Sequence, residues 1–142
     1  MRPKSVTVIA IVNSFGALLT VVFWGMVLVR IFAPESPPPG LDRASLSTTF
    51  GFMVSDLAWA TALLAVSAIG LVMLRAWGWL AAQMVNILWL YSMTVIWCRD
   101  LYSSSISPGA VIFMPFVPFS AWAVIALWKQ RQVFGIRDRR GE

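Results

Sequence analysis

Histidine is absent, cysteine occurs once, and only 12% of the residues are charged. Without histidine there is no imidazole to ligate a metal or haem, and one cysteine excludes an intrachain disulfide or a cysteine cluster. A soluble domain carries about 25% charged residues. The scarcity of charge therefore excludes an ordinary soluble domain, a coiled coil and a disordered chain.

Long apolar runs fill the space that charge leaves. Hydrophobic residues make up 59% of the 142, and the four longest charge-free runs are 5–29, 57–74, 76–98 and 101–128. A helix needs roughly 20 apolar residues to cross a bilayer, so four crossings consume nearly the whole chain and leave one membrane domain. In hydrocarbon every backbone N–H and C=O must be paired internally, which allows helices or closed barrels. Barrel strands alternate apolar and polar residues, whereas Val21-Val22-Phe23-Trp24 and Leu63-Leu64-Ala65-Val66 are continuously apolar. The fold class expected is all-α, a four-helix transmembrane bundle with short loops.

The expected spans are 6–32, 50–74, 79–98 and 108–130, with a basic tail over 129–142. Pro34-Glu35-Ser36-Pro37-Pro38-Pro39-Gly40 ends the first, since proline cannot continue a helix. The tight link Arg75-Ala76-Trp77-Gly78 makes spans two and three antiparallel neighbours. Ser107 is the expected N-cap of the fourth span, with Pro108 at its first position, and Gly135 supplies a C-terminal stop. The first run is read as a span and not a signal peptide, because it exceeds the usual 7–15-residue core and Pro34 follows the Ile31-Phe32-Ala33 cleavage candidate.

Lysine and arginine set the expected orientation. With the N-terminus cytoplasmic, the inside holds Arg2, Lys4, Arg75, Lys129, Arg131, Arg137, Arg139 and Arg140, and the outside Arg30, Arg43 and Arg99. Eight against three favours both termini inside, in a bacterial inner membrane. Trp77, Trp79 and Trp128 form the inner aromatic belt, and Trp24, Trp97 and Tyr102 the outer one. The net charge of +5 is thus a topology signal with contact to anionic lipid, and nucleic acid is not an expected partner.

Polar groups in hydrocarbon are costly and need a reason. Asn13, Ser14, Ser67, Gln83, Asn86 and Ser120 fall in one expected layer, about 10 Å inside the cytoplasmic leaflet at 1.5 Å per residue. Interhelical fastening is the favoured role, and a pocket for a headgroup or quinone is the alternative. Small residues on two sides of span two, with Asp56, Ala60, Leu63, Ser67 and Gly70 along one stripe, put that span centrally. Asp56 is the one acid able to lie within a span. It either sits at the outer interface, where Ser55 or Asp56 caps the helix, or is a buried acid paired with Arg30, Arg43 or Arg99 in an ion or proton site. Pro115 and Pro118 break the fourth helix, as a tolerated kink or as a discontinuity lining a cavity. Cys98 is read as a structural thiol.

Arg2-Pro3, Val6-Thr7, Ile9-Ala10-Ile11 and Asn13, with the turn Arg75-Ala76-Trp77-Gly78-Trp79, resemble many small, uncharacterised bacterial four-span proteins. That resemblance implies a four-helix membrane protein and carries no activity. Small multidrug transporters are similar in length and span number but keep a carboxylate in the first span, where this chain has none. Tetraspan thiol oxidoreductases need cysteine pairs.

Three functions follow as expectations. The first is a non-catalytic accessory or scaffold subunit with other membrane subunits as partners, with no cofactor beyond lipid or quinone contact. The second is a small homo-oligomeric transporter or channel using Asp56 and the broken fourth helix. The third is a lipid-acting enzyme with its site near Asp56, Arg99, Asp100 and Tyr102, which lacks a nucleophile or ligand set.

Overall fold

The computed structural model describes residues 2–32 and 43–136. The Pro-rich segment 34–40 and the tail residues Arg137, Asp138, Arg139 and Arg140 lie outside the described residues. Among those described, all regular structure is helical: α1 (Lys4–Phe32), α2 (Arg43–Ser55), α3 (Thr61–Val72), α4 (Ala76–Ser103), α5 (Pro108–Phe113) and α6 (Phe116–Lys129). A π-helical turn, Asp56–Ala60, joins α2 to α3, and a 3₁₀ turn, Arg131–Phe134, follows α6. They make four segments long and apolar enough to cross a membrane: Lys4–Ile31, Arg43–Val72, Ala76–Ser103 and Pro108–Lys129.

The second segment begins at Arg43, earlier than the apolar run alone implies. Its polar opening satisfies its own hydroxyls by folding them back on the helix. Ser47 and Thr48 each donate to the Ala44 carbonyl at 2.9 Å, and Thr49 donates to that of Ser45 at 2.8 Å. Ser14 and Thr20 do the same in α1, on Ala10 and Gly16. A hydroxyl bonded to its own helix exposes little unsatisfied polarity. At the start of α5, Ser107 is the N-cap and accepts from the Ala110 amide at 3.3 Å, with Pro108 at the first position. Gly135, at φ +75°, closes the 3₁₀ turn.

The fourth segment is interrupted at Met114 and Pro115, yet both keep right-handed helical torsions. Pro115 removes one donor. The Met114 carbonyl instead accepts from the Val117 amide at 3.1 Å, a tighter turn. Pro118 falls in the first turn of α6, where a helix needs no donor. The result is a change of helix with helical backbone on both sides.

Packing runs α1 on α3, α3 on α4, α4 on α6, and α6 back on α1, closing a four-helix ring. The second segment lies between the first and third. Where α1 starts and α6 finishes the core is tight, with Val6, Ile9, Leu71, Ala82, Ala123 and Leu127 fully enclosed. The hairpin of α3 and α4 determines this tightness. Leu74 takes a left-handed φ of 54°, while Arg75 and Leu74 amides donate to the carbonyls of Gly70 and Leu71 at 2.9 and 3.2 Å. Those two bonds close the helix end and fold α4 back at once. A Cβ on Gly70 would collide with the Gly78 backbone, and one on Gly78 with the Gly70 backbone.

The other half of the bundle is looser. α2 packs closely only on the π-helical turn that follows it. Of its side chains only Met53 is buried.

Gly70→Ala is expected to force the hairpin apart and cost about 1–3 kcal/mol, the usual penalty for overpacking. Gly51→Ala meets nothing within 4 Å and is expected to be neutral or slightly stabilising from helix propensity. Thermal unfolding midpoints of both variants in detergent, against the unsubstituted chain, check this pair.

Candidate functional site

The polar residues grouped by sequence do not form one pocket. The Asn13 amide donates to Ser67 Oγ at 2.8 Å, linking α1 to α3, and Ser67 Oγ donates to the Leu64 carbonyl. Gln83 reaches across from α4 to the Val124 carbonyl at 3.2 Å. Asn86 bonds the Ala82 carbonyl of its own helix at 2.7 Å, and Ser14 stays on α1. Ser120 is buried, and its hydroxyl has no partner among the described residues. Asn13 and Ser67 meet, and the other four are distributed over α1, α4 and α6 without bonding one another. None of the six lines the main cavity.

Asp56 stands elsewhere than at a helix end. It follows the 13 residues of α2 in a 30-residue segment, so it lies near the middle. Ser55 has helical torsions and no side-chain capping bond, so the capping role is overturned. The physical reason is the early helix start at Arg43. Pairing with arginine is overturned as well. Among the described residues the sole ion pair joins Arg99 to Asp100. Asp56 Oδ2 instead accepts from the Trp24 indole N–H at 2.9 Å. Trp24 is 6% exposed and so is not part of an exposed aromatic belt.

The π-helical turn aims this carboxylate. Its first residue is Asp56, whose carbonyl receives both the amide and the hydroxyl of Thr61. The wider turn adds a residue to the helical repeat, a distortion frequent at functional sites. Two rungs then join α1 to the second segment: Asn13 with Ser67, and Trp24 with Asp56. Trp24 lies eleven residues after Asn13, and Asp56 eleven before Ser67. Eleven residues is about three helical turns, so both rungs occupy one antiparallel seam. The sequence carries that shared interval, which a grouping of polar residues by depth does not use.

Beyond the upper rung lies a cavity of about 580 Å³, within the range usual for small-molecule sites. All four segments wall it: Thr20, Phe23, Trp24 and Arg30 from α1, Thr49 and Phe52 from α2, Trp89, Ser92, Met93 and Arg99 from α4, and Ile112 and Phe113 from α5. Asp56 supplies its carboxylate. Its second oxygen, Oδ1, has no hydrogen bond among the described residues and is not sealed away. Rings run in contact along the wall, Trp24 to Phe23 at 5.1 Å, Phe23 to Phe113 at 5.2 Å and Phe113 to Trp89 at 4.9 Å. Trp89 also stacks on Phe116 at 5.0 Å. On the other side of Asp56 a second hollow, about 430 Å³, runs between α2 and α4 past Trp59 and Tyr91. Phe52, Asp56, Leu88 and Ser92 line both spaces.

Of the third expected constellation, Asp56 and Arg99 line the main cavity, whereas Asp100 and Tyr102 do not. Asp100 Oδ1 accepts from Arg99 Nε and Nη2 at 3.0 and 2.7 Å, and Oδ2 accepts from the Ser107 amide and hydroxyl at 2.7 and 2.8 Å. Both oxygens are thus occupied, and Oδ2 latches α4 to the start of α5. Tyr102 is 96% exposed, and Cys98 is exposed.

Compared with known proteins, the chain matches no protein family, no curated protein and no solved structure.

Trp24→Phe keeps a ring against Phe23 but removes the donor to Asp56. Its expected cost is about 1–3 kcal/mol, the penalty for a stranded polar group, and Asp56→Leu should relieve most of it. A double-mutant cycle on thermal unfolding in detergent checks the coupling; additive effects would show that the bond contributes nothing.

Proposed function

We propose that this is a small multi-pass protein of a bacterial inner membrane that binds an amphiphilic ligand between its helices and works as an oligomeric transporter or carrier. One observation carries this reading: a cavity walled by all four segments contains a mid-segment carboxylate with an unused oxygen. An ionisable group at such a position marks a ligand or ion path by default. The looser packing of α2 supports access from the lipid side. Among the described residues the cavity wall offers no cysteine nucleophile and one carboxylate, which favours binding over catalysis.

Arg2, Lys4, Arg75, Lys129 and Arg131 gather at the end of the bundle where α1 starts and α6 finishes. The positive-inside bias then supports cytoplasmic termini, with the cavity in the outer half.

A second reading keeps the protein as a non-catalytic accessory subunit. The hollow between α2 and α4 favours it, because Trp59 and Tyr91 stand there 68% and 67% exposed. Aromatic side chains of this kind anchor interfaces.

Ser92→Trp should fill the cavity without touching the Gly70–Gly78 contact. The expected outcome is a monodisperse protein that no longer retains co-purified amphiphile in native mass spectrometry. Adducts retained at the level of the unsubstituted chain would locate the ligand elsewhere and leave the accessory reading in its place.

A further inference from the structure

The charges lining the cavity stand at two levels. Asp56 is level with Trp24, whose indole holds it, and shares a wall with Ser92. Arg30 follows Trp24 by six residues on α1, a rise of about 9 Å. Arg99 follows Ser92 by seven on α4, about 10 Å in the same direction, since both helices start from the same end of the bundle. Both arginines line the cavity. They therefore stem from its rim, while the carboxylate lies deeper.

Neither level is electrically complete. Among the described residues Arg30 makes no ion pair and no hydrogen bond, and Arg99 is tied to Asp100 through Nε and Nη2 alone. Asp56 has one neutral donor, Trp24, for two oxygens. A charge facing an apolar cavity is costly unless paired, a cost that falls on half-buried Asp56 and not on the exposed Arg30 at the rim. An alkylammonium would complete Asp56 and leave Arg30 bare. A simple anionic amphiphile would do the reverse. The surrounding rings of Trp24, Phe23 and Phe113 suit hydrocarbon and also stabilise a cation over their faces.

Resting on the reading of the cavity as a ligand site, we infer that its ligand is a zwitterionic phospholipid with a primary ammonium. The ammonium donates to Asp56 Oδ1, the phosphate lies between Arg30 and Arg99, and the aromatic wall takes hydrocarbon. A primary ammonium is specified because the open carboxylate oxygen needs an N–H donor, which a quaternary headgroup lacks.

The full chain, purified in a maltoside detergent and stripped of lipid, is titrated by native mass spectrometry with three probes. They are dihexanoyl phosphatidylethanolamine, dihexanoyl phosphatidylglycerol and octylamine. The ethanolamine lipid is expected to bind at least about tenfold more tightly than either other probe, the discrimination of one charged hydrogen bond. Asp56→Asn should erase its advantage over the glycerol lipid, and Arg30→Gln its advantage over octylamine. Equal binding of the three probes, or a preference that survives both substitutions, overturns the zwitterion while Ser92→Trp still blocks binding. If Asp56→Asn fails to fold, the exposed Arg30 position decides: an undiminished preference in Arg30→Gln overturns the assignment. Should no probe bind, or should Ser92→Trp bind as the unsubstituted chain does, the cavity reading itself falls.

Discussion

The backbones of Gly70 and Gly78 touch, and the rest of the bundle follows from that contact. Close approach of two helices without side chains between them gains dispersion and excludes lipid, which is how membrane helices associate when no hydrophobic gradient drives them. Here the contact sits beside a three-residue link, so α3 and α4 are bound tightly where the chain reverses. From that point the ring around Leu71, Ala82 and Leu127 is fixed, and the other half is free to take a different geometry.

The different geometry begins at the π-helical turn. It inserts one wide turn at Asp56, above which α2 no longer packs tightly on its neighbours. The space so opened is lined by rings from α1, α4 and α5, and the carboxylate is held on its wall by a single indole bond. Pro115 makes the matching interruption in the fourth segment, between the helix that walls the cavity and the helix that packs in the closed half. Two irregularities thus separate a closed half from a hollow one.

Much of the architecture was legible in the sequence. Run length and the absence of polar alternation gave four long helices, and cap chemistry gave Ser107, Pro108 and Gly135 their positions. Helix ends rich in Ser and Thr were not legible, because apolarity does not register hydroxyls that satisfy themselves on their own helix. That error of register moved Asp56 from the middle of a helix to its end. The π turn was hidden for another reason, since no residue type marks it and only packing against α1 reveals it. Trp24 was misread because an aromatic near a span end satisfies the belt rule equally well whether it faces lipid or a buried acid. Asp100 illustrates the converse: a carboxylate that looked chemical is fully spent on Ser107 and Arg99.

The Asp100 latch gives the hollow half a handedness. On one flank, α4 is clamped to the start of α5 across their loop by two short bonds from Ser107 to Asp100. On the opposite flank α2 rests on its π turn like a door leaf on a hinge pin. The chamber is thus bounded by a braced jamb at α4 and α5 and by a panel, α2, whose removal from the wall would break the fewest contacts with the other segments.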